Sequence, residues 1–269
     1  MKGRERGGAT LLVVYAVTFV DLHSHLLPGL DDGAPTLEET RRFARRLHAE
    51  GVLDIACTPH IKRAHFPRID PAELAGRRAA VQRALEEDGL AVRLHAGGEL
   101  ADEDALELTE RELALIAQGP EHAPWLLLEC PFEGFDHVFD AAVARLTSLG
   151  YGLLLAHPER AAGPLDRLEP HLANGALLQV NVSSLLGDHG PRARELGTRL
   201  VRQGRAYCLA SDTHPGTREL TLPLGHRALI GAGMSEVGAA RLTQSNPRFL
   251  LREGIPQLAL GLSSADSAR

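Results

Sequence analysis

The sequence predicts an α/β barrel, and three observations predict it. Seven short apolar stretches alternate with helix-forming segments. At 269 residues the chain is long enough for one large barrel. Histidines or carboxylates follow six of the seven strands directly. In α/β barrels the strand-to-helix loops build the site, so residues far apart in sequence converge at one mouth.

The first strand is read near Val17–Leu22, leading into Asp21-Leu22-His23-Ser24-His25 and then Asp31-Asp32-Gly33. Thr36-Leu37-Glu38-Glu39 is a capping box that opens a helix to about Glu50, which Gly51 stops. Val52–Thr58 is the second strand, leading to Pro59-His60. Asp70-Pro71-Ala72-Glu73 starts a helix with proline at its first position, ended by Gly89. Leu90–Ala96 leads to Gly97-Gly98-Glu99, and one charged helix is expected over about Asp102–Gln118. Trp125–Leu128 leads to Glu129, a helix covers about Asp136–Ser148, and Tyr151–Ala156 leads to His157-Pro158-Glu159-Arg160. Ala176–Val180 leads to Asn181. A helix near Ala193–Arg202 precedes Ala206–Ala210, which leads to Ser211-Asp212-Thr213-His214. Helical segments near Ser235–Leu242 and Pro247–Glu253 close the fold.

A barrel domain is thus expected over 17–253, with residues 1–16 a non-essential extension and 254–269 a flexible tail. Lys2, Arg4 and Arg6 before an apolar run imitate a targeting segment, but that run leads straight into the first strand and is short for a bilayer. A formal charge of −6 gives no broad basic surface for nucleic acid. Cys57, Cys130 and Cys208 are widely spaced, odd in number and set in apolar runs, which suits reduced thiols in a cytoplasmic protein.

His23 and His25 are two apart, so in an extended segment both imidazoles face one side. At the end of a buried strand that is the start of a metal site, and Asp31 and Asp32 add oxygen donors at a nearby turn. Cys57-Thr-Pro-His-Ile-Lys-Arg63 has the C-x5-R spacing of thiol phosphatases. Pro59 removes a backbone donor from that loop, it holds no glycine, and Cys57 belongs to an apolar strand, so a thiol mechanism is not expected.

The ordered set Asp21-Leu-His-Ser-His25, Asp31-Asp-Gly33, Thr58-Pro-His60, Gly98-Glu99, Leu128-Glu129, Ala156-His-Pro-Glu-Arg160, Gln179-Val-Asn181 and Ser211-Asp-Thr-His214 resembles the PHP (polymerase and histidinol phosphatase) superfamily. It is most similar to the manganese-dependent bacterial protein-tyrosine phosphatases of capsule and exopolysaccharide loci, the CpsB/YwqE type. The resemblance implies a distorted (βα)7 barrel with three divalent metal ions, manganese first, iron or zinc also compatible. It implies that His23, His25, Glu129 and Asp212 hold one ion and Asp32, His60, Glu99 and His214 a second. His157, with Glu99 and Glu129 as bridging carboxylates, would hold the third. Mixed nitrogen and oxygen donors without a thiolate agree with those metals. Arg160 is implied in phosphate recognition and Arg218 is a second candidate, while Lys62 and Arg63 could attract a phosphate.

The implied activity is hydrolysis of phosphotyrosine by attack of a hydroxide bridging the metals. The implied substrate is the tyrosine-rich tail of a bacterial autophosphorylating kinase of polysaccharide export, with membrane contact only through that partner. The rival readings are another PHP phosphoesterase, such as a histidinol-phosphate or small-molecule phosphatase, and a non-catalytic PHP-fold binding module.

Overall fold

The computed structural model of the chain describes residues 18–255. The proposed extension, 1–16, and most of the expected tail lie outside the described residues. Gly254 and Ile255 do not belong to a loose tail: Ile255 is buried in the inner core.

Seven parallel staves form the barrel. Stave one is β1 (Phe19–Asp21), followed by α1 (Leu37–Ala49). Stave two is split into β2 (Val52–Ala56) and β3 (His60–Ile61), followed by α2 (Pro71–Glu87). Stave three is split into β4 (Arg93–His95) and β5 (Glu99–Leu100). After α3 (Asp102–Glu107) and α4 (Glu110–Ile116) come β6 (Trp125–Glu129), α5 (His137–Ser148) and β7 (Gly152–Ala156). Then follow α6 (Glu169–Ala173), β8 (Leu177–Asn181), α7 (Val182–Leu186), α8 (Gly190–Arg202) and β9 (Ala206–Ala210). The chain closes with α9 (Leu222–Gly231), α10 (Glu236–Ala240) and α11 (Asn246–Glu253), the last two joined by a π-helical turn over Arg241–Ser245.

The two splits divide the barrel into a lower sheet, β1-β2-β4, and an upper one, β3-β5-β6-β7-β8-β9. Pro59 interrupts one stave, since it has no N–H to donate. Gly97 and Gly98 interrupt the next: a Cβ on Gly98 would lie 2.9 Å from the Ile61 side chain. In the upper sheet His60 pairs with Glu99, which sets two of the predicted site residues side by side. The ring closes where the ends of β9 and β1 meet: the His25 amide donates to Thr213 O at 2.9 Å and the Asp212 amide to His23 O at 3.0 Å.

Two apolar layers hold this frame. Inside the barrel, Val20, Leu22, Leu127, Leu154, Ala156 and Cys208 alternate with outward-facing neighbours, and Trp125, Leu250 and Ile255 plug the floor. The Trp125 indole donates to Leu250 O at 3.0 Å. Outside, Ile55, Leu126, Leu128, Leu155 and Val180 face helix residues such as Phe43, Leu47 and Phe139. Each such buried leucine stabilises the fold by roughly 1.5–3 kcal/mol.

Three sequence expectations change. The helix expected over Asp102–Gln118 is two helices, because Thr109 caps the second with a full reciprocal box through Glu112. Thr36 makes only half a box: its hydroxyl accepts from the Glu39 amide, while the Glu39 carboxylate goes to Arg42. Helices α6, α7 and α9 are additional to those expected from the sequence; in α9 Pro223 stands in the first turn, and Thr221 at its start turns its hydroxyl to Glu50.

Candidate metal centre

The strand ends bring all nine predicted donors to the upper mouth of the barrel. His25, Asp32, His60 and His214 form one group whose donor atoms lie within 4.8 Å of one another. His23, Glu99 and His157 form a second; His23, His25 and Asp212 a third; His60, Glu99 and Glu129 a fourth. Glu99 is central: its carboxylate lies 3.2 Å from His23 Nε2, 3.3 Å from His25 Nε2, 3.0 Å from His60 Nδ1 and 2.8 Å from His157 Nε2. Asp212 Oδ1 is 3.6 Å from His23 Nε2 and 3.4 Å from His25 Nε2. Asp32 Oδ1 faces His60 and His214 at 3.4 and 3.1 Å. The resemblance groups Glu129 with His23 and His25 and also makes it a bridging carboxylate beside Glu99; in the structure it sits with His60 and Glu99.

Neighbouring side chains aim these donors. Asp31 faces His25 Nδ1 at 2.7 Å and accepts the His60 and Gly33 amides. Gly33 allows this turn, since a Cβ there would lie 2.5 Å from His25 Cβ. Gln179 Oε1 faces His23 Nδ1 at 3.1 Å, and its amide donates to Asn181 Oδ1, which fixes its orientation. Asn181 in turn donates to Asp212 Oδ2 at 2.7 Å. Gln179 and Asn181 are two apart on β8 and so face the same interior side. Two donors sit in left-handed backbone, His157 at φ 36° and Asp212 at φ 50°. That conformation costs on the order of 1–3 kcal/mol for residues other than glycine and clusters at functional sites.

This donor set fits cations. With Nδ1 of both His23 and His25 turned to an oxygen acceptor, each Nε2 carries the lone pair. Those two nitrogens face each other at 3.3 Å with Glu99 and Asp212 oxygens around them. Only a proton or a cation between them relieves that arrangement. His157 Nδ1 is buried without a hydrogen bond, and His60 Nδ1 and Glu99 Oε2, although 3.0 Å apart, are buried without a partner in hydrogen-bonding geometry. Burial pushes Glu99 up, but His23, His60 and the His157 contact outweigh it and hold the carboxyl well below its usual range. Glu129 goes the other way, raised by burial and by the Glu99 charge, with Lys62 Nζ at 3.4 Å only partly offsetting this. Burial lowers His157 to about 4, so its ring is neutral at physiological pH and able to ligate.

Both candidate arginines reach the cluster. Arg160 Nη1 lies 3.1 Å from Asp212 Oδ2, and Arg218 Nη2 lies 3.1 Å from Asp212 Oδ1. Arg160 is therefore not tied to Glu159, which is buried beneath it, accepts the Asn181 amide and is raised to about 7 by burial. Lys62 also faces the cluster, but Arg63 turns away to Glu112 at 2.7 Å. The C-x5-R loop is no phosphate cradle: Cys57 is packed in the outer core, and burial pushes its thiol up to about 12. Sequence reasoning missed Phe132, three residues past Glu129, whose ring meets His157 and Arg160. It also missed His189, which approaches Ser184 Oγ at 3.0 Å and is lowered to about 4 by burial and by Arg160 and Arg218.

Comparison with known proteins gives a consistent picture. The family described as "Capsular polysaccharide synthesis, CpsB/CapC" matches residues 19–252. CapC of Staphylococcus aureus is 29% identical over 200 residues, 72% of this chain and 76% of its own length. Tyrosine-protein phosphatase YwqE of Bacillus subtilis is 27% identical over 200 residues, 72% of this chain and 77% of its own. A solved chain from the crystal structures of YwqE from Bacillus subtilis and CpsB from Streptococcus pneumoniae, described as metal-dependent tyrosine phosphatases, superposes with a TM-score of 0.71. It is 23% identical and covers 89% of this chain and 96% of its own, a likeness of fold. Among the described residues, no helix is long and apolar enough to cross a membrane.

Proposed function

The chain belongs to the CpsB/CapC capsular polysaccharide synthesis family, and from that premise we propose that it is a metal-dependent protein-tyrosine phosphatase. The observation that carries the proposal is the convergence of five histidines and four carboxylates, from strand ends across the whole barrel, beside two arginines that meet at Asp212. His23, His25, Asp32, His60, Glu99, Glu129, His157, Asp212 and His214 are the proposed metal ligands. The proposed cofactor is three divalent ions, manganese in the cell. Divalent cations supply Lewis acidity at such a site, making water a stronger nucleophile and meeting the charge on phosphoryl oxygens.

The chain's own residues do the rest. Arg160 and Arg218 would bind the phosphoryl group, since a guanidinium grips two oxygens in a fork but cannot ligate a cation. Phosphoryl transfer asks mainly for positioning and charge stabilisation, and fixed side chains on a barrel rim provide both. Asp31 and the Gln179–Asn181 pair hold the imidazoles and Asp212 at fixed angles, which removes reorganisation from the reaction. The buried Cys57 takes no part.

The proposed substrate is the phosphorylated tyrosine-rich tail of a kinase of capsule or exopolysaccharide synthesis, met in the cytoplasm. The family membership and the phosphatase names of the relatives support this reading. The test is a substrate panel on chelated protein with Mn2+ added back. Phosphotyrosine peptide should be hydrolysed well above histidinol phosphate. The reverse order would favour a small-molecule phosphatase, and no turnover of either with metal bound would favour a binding module.

A further inference from the structure

Phe132 is out of place for a purely structural residue. It lies on the loop after β6, three residues past Glu129, and is 39% exposed. Exposed single apolar side chains are common, but this one stands inside a charged mouth. Its ring lies 5.9 Å from the His157 ring at an interplanar angle of 25°. The Arg160 guanidinium carbon lies 4.5 Å from the ring centroid, and Lys62 Nζ lies 5.9 Å from it. The loop is anchored. Phe132 O accepts from the Ala162 amide at 2.8 Å, and Pro131 O accepts from the Gly134 amide at 3.1 Å. Gly134 has φ 108°, and a Cβ there would stand 3.0 Å from Ala162 O. The ring is thus a fixed feature of the rim, tied to the loop that carries Arg160.

Its position has a chemical consequence. A phosphoryl group held by Arg160 and Arg218 at the cluster has its ester oxygen facing the rim. The group carried by that oxygen then lies at the rim, where Phe132 stands directly against Arg160. An aromatic ring packs on another aromatic ring in offset or edge geometry, whereas a single methylene reaches little of it. We propose that Phe132 is the wall against which the aryl group of the substrate packs, and that it sets the preference of this site for aryl over alkyl phosphomonoesters. The inference rests on the phosphotyrosine reading above. The two flanking cations hold the wall upright through their attraction to the ring face.

The experiment uses the full chain loaded with Mn2+ and two non-hydrolysable probes, phenylphosphonate and methylphosphonate. Each is measured as a competitive inhibitor of phosphotyrosine-peptide hydrolysis by wild type, Phe132→Ala and Phe132→Trp. Metal content is checked on the same preparations. The ratio of the two inhibition constants should favour the phenyl compound in wild type and in Phe132→Trp. In Phe132→Ala the ratio should shrink by about 3- to 10-fold, the scale of one aromatic pair. A merely structural role, such as holding Arg160, would weaken both probes equally and leave the ratio unchanged, which overturns the proposal. Wild type that turns over no phosphotyrosine peptide with metal bound overturns the phosphatase reading itself, a separate outcome.

Discussion

Arg160→Ala separates recognition of phosphate from retention of metal. In the structure the side chain is 20% exposed, and its guanidinium lies 3.1 Å from Asp212 Oδ2 and rests on the Phe132 ring. It is the kind of preorganised donor that meets charge developing on a phosphoryl oxygen, and loss of one such donor costs about 2.7–4 kcal/mol. At 1.36 kcal/mol per decade, kcat/KM for phosphotyrosine peptide should fall by roughly 100- to 1,000-fold. Metal binding should respond in the opposite sense or not at all. The guanidinium competes for Asp212 Oδ2, so its removal leaves that oxygen more available to a cation. Arg160→Lys should recover only part of the loss, because the ammonium has no fork. The assay is steady-state kinetics and metal analysis on one preparation. Wild-type kinetics would remove Arg160 from the site, and loss of metal would make its role structural.

Asp31→Asn should leave the fold intact but weaken Mn2+ affinity by about 10- to 100-fold, because the carboxylate that orients His25 becomes an amide; metal titration followed by calorimetry checks this. Gly33→Ala should do more damage, lowering both metal affinity and melting temperature, because the added methyl collides with His25; normal values for both would refute the close approach. Leu127→Ala, inside the barrel, should destabilise by about 2–5 kcal/mol in urea unfolding. Cys57→Ala should retain turnover, with a stability change on the order of 1 kcal/mol, and loss of activity with metal still bound would revive a thiol mechanism.

The alternation of apolar strands and helices carried most of the fold, because a barrel stave buried on both faces reads as an apolar run such as Leu126-Leu127-Leu128. The site was legible for the same reason: strand ends point at one mouth, so a histidine or carboxylate directly after a strand needs no tertiary information to be suspected. What the pattern could not carry was company across the barrel. Glu129 lies with His60 and Glu99 because β3, β5 and β6 are neighbours in the upper sheet, above the splits in the second and third staves. Those splits are local breaks at Pro59 and Gly97-Gly98, visible as residues but not as a change of sheet. Arg160 and Arg63 illustrate the limit from the other side. Both follow a histidine by three residues, yet a 3-10 turn over Pro158–Arg160 returns one to Asp212, while the other swings to Glu112. Phe132 carried no signal at all, since one phenylalanine in a loop has no period and no ligand chemistry. The paired polar positions Gln179 and Asn181 did carry one: an interior strand face otherwise apolar holds polar groups only where they have partners.

The nine donors are proposed to form one metal centre. Its most direct test is anomalous diffraction at the manganese edge from crystals of the Mn2+-loaded, catalytically active protein. Three peaks are expected, all inside the space bounded by His23, His25, Asp32, His60, Glu99, Glu129, His157, Asp212 and His214. Active crystals with no peak there, or with peaks only elsewhere, would contradict it.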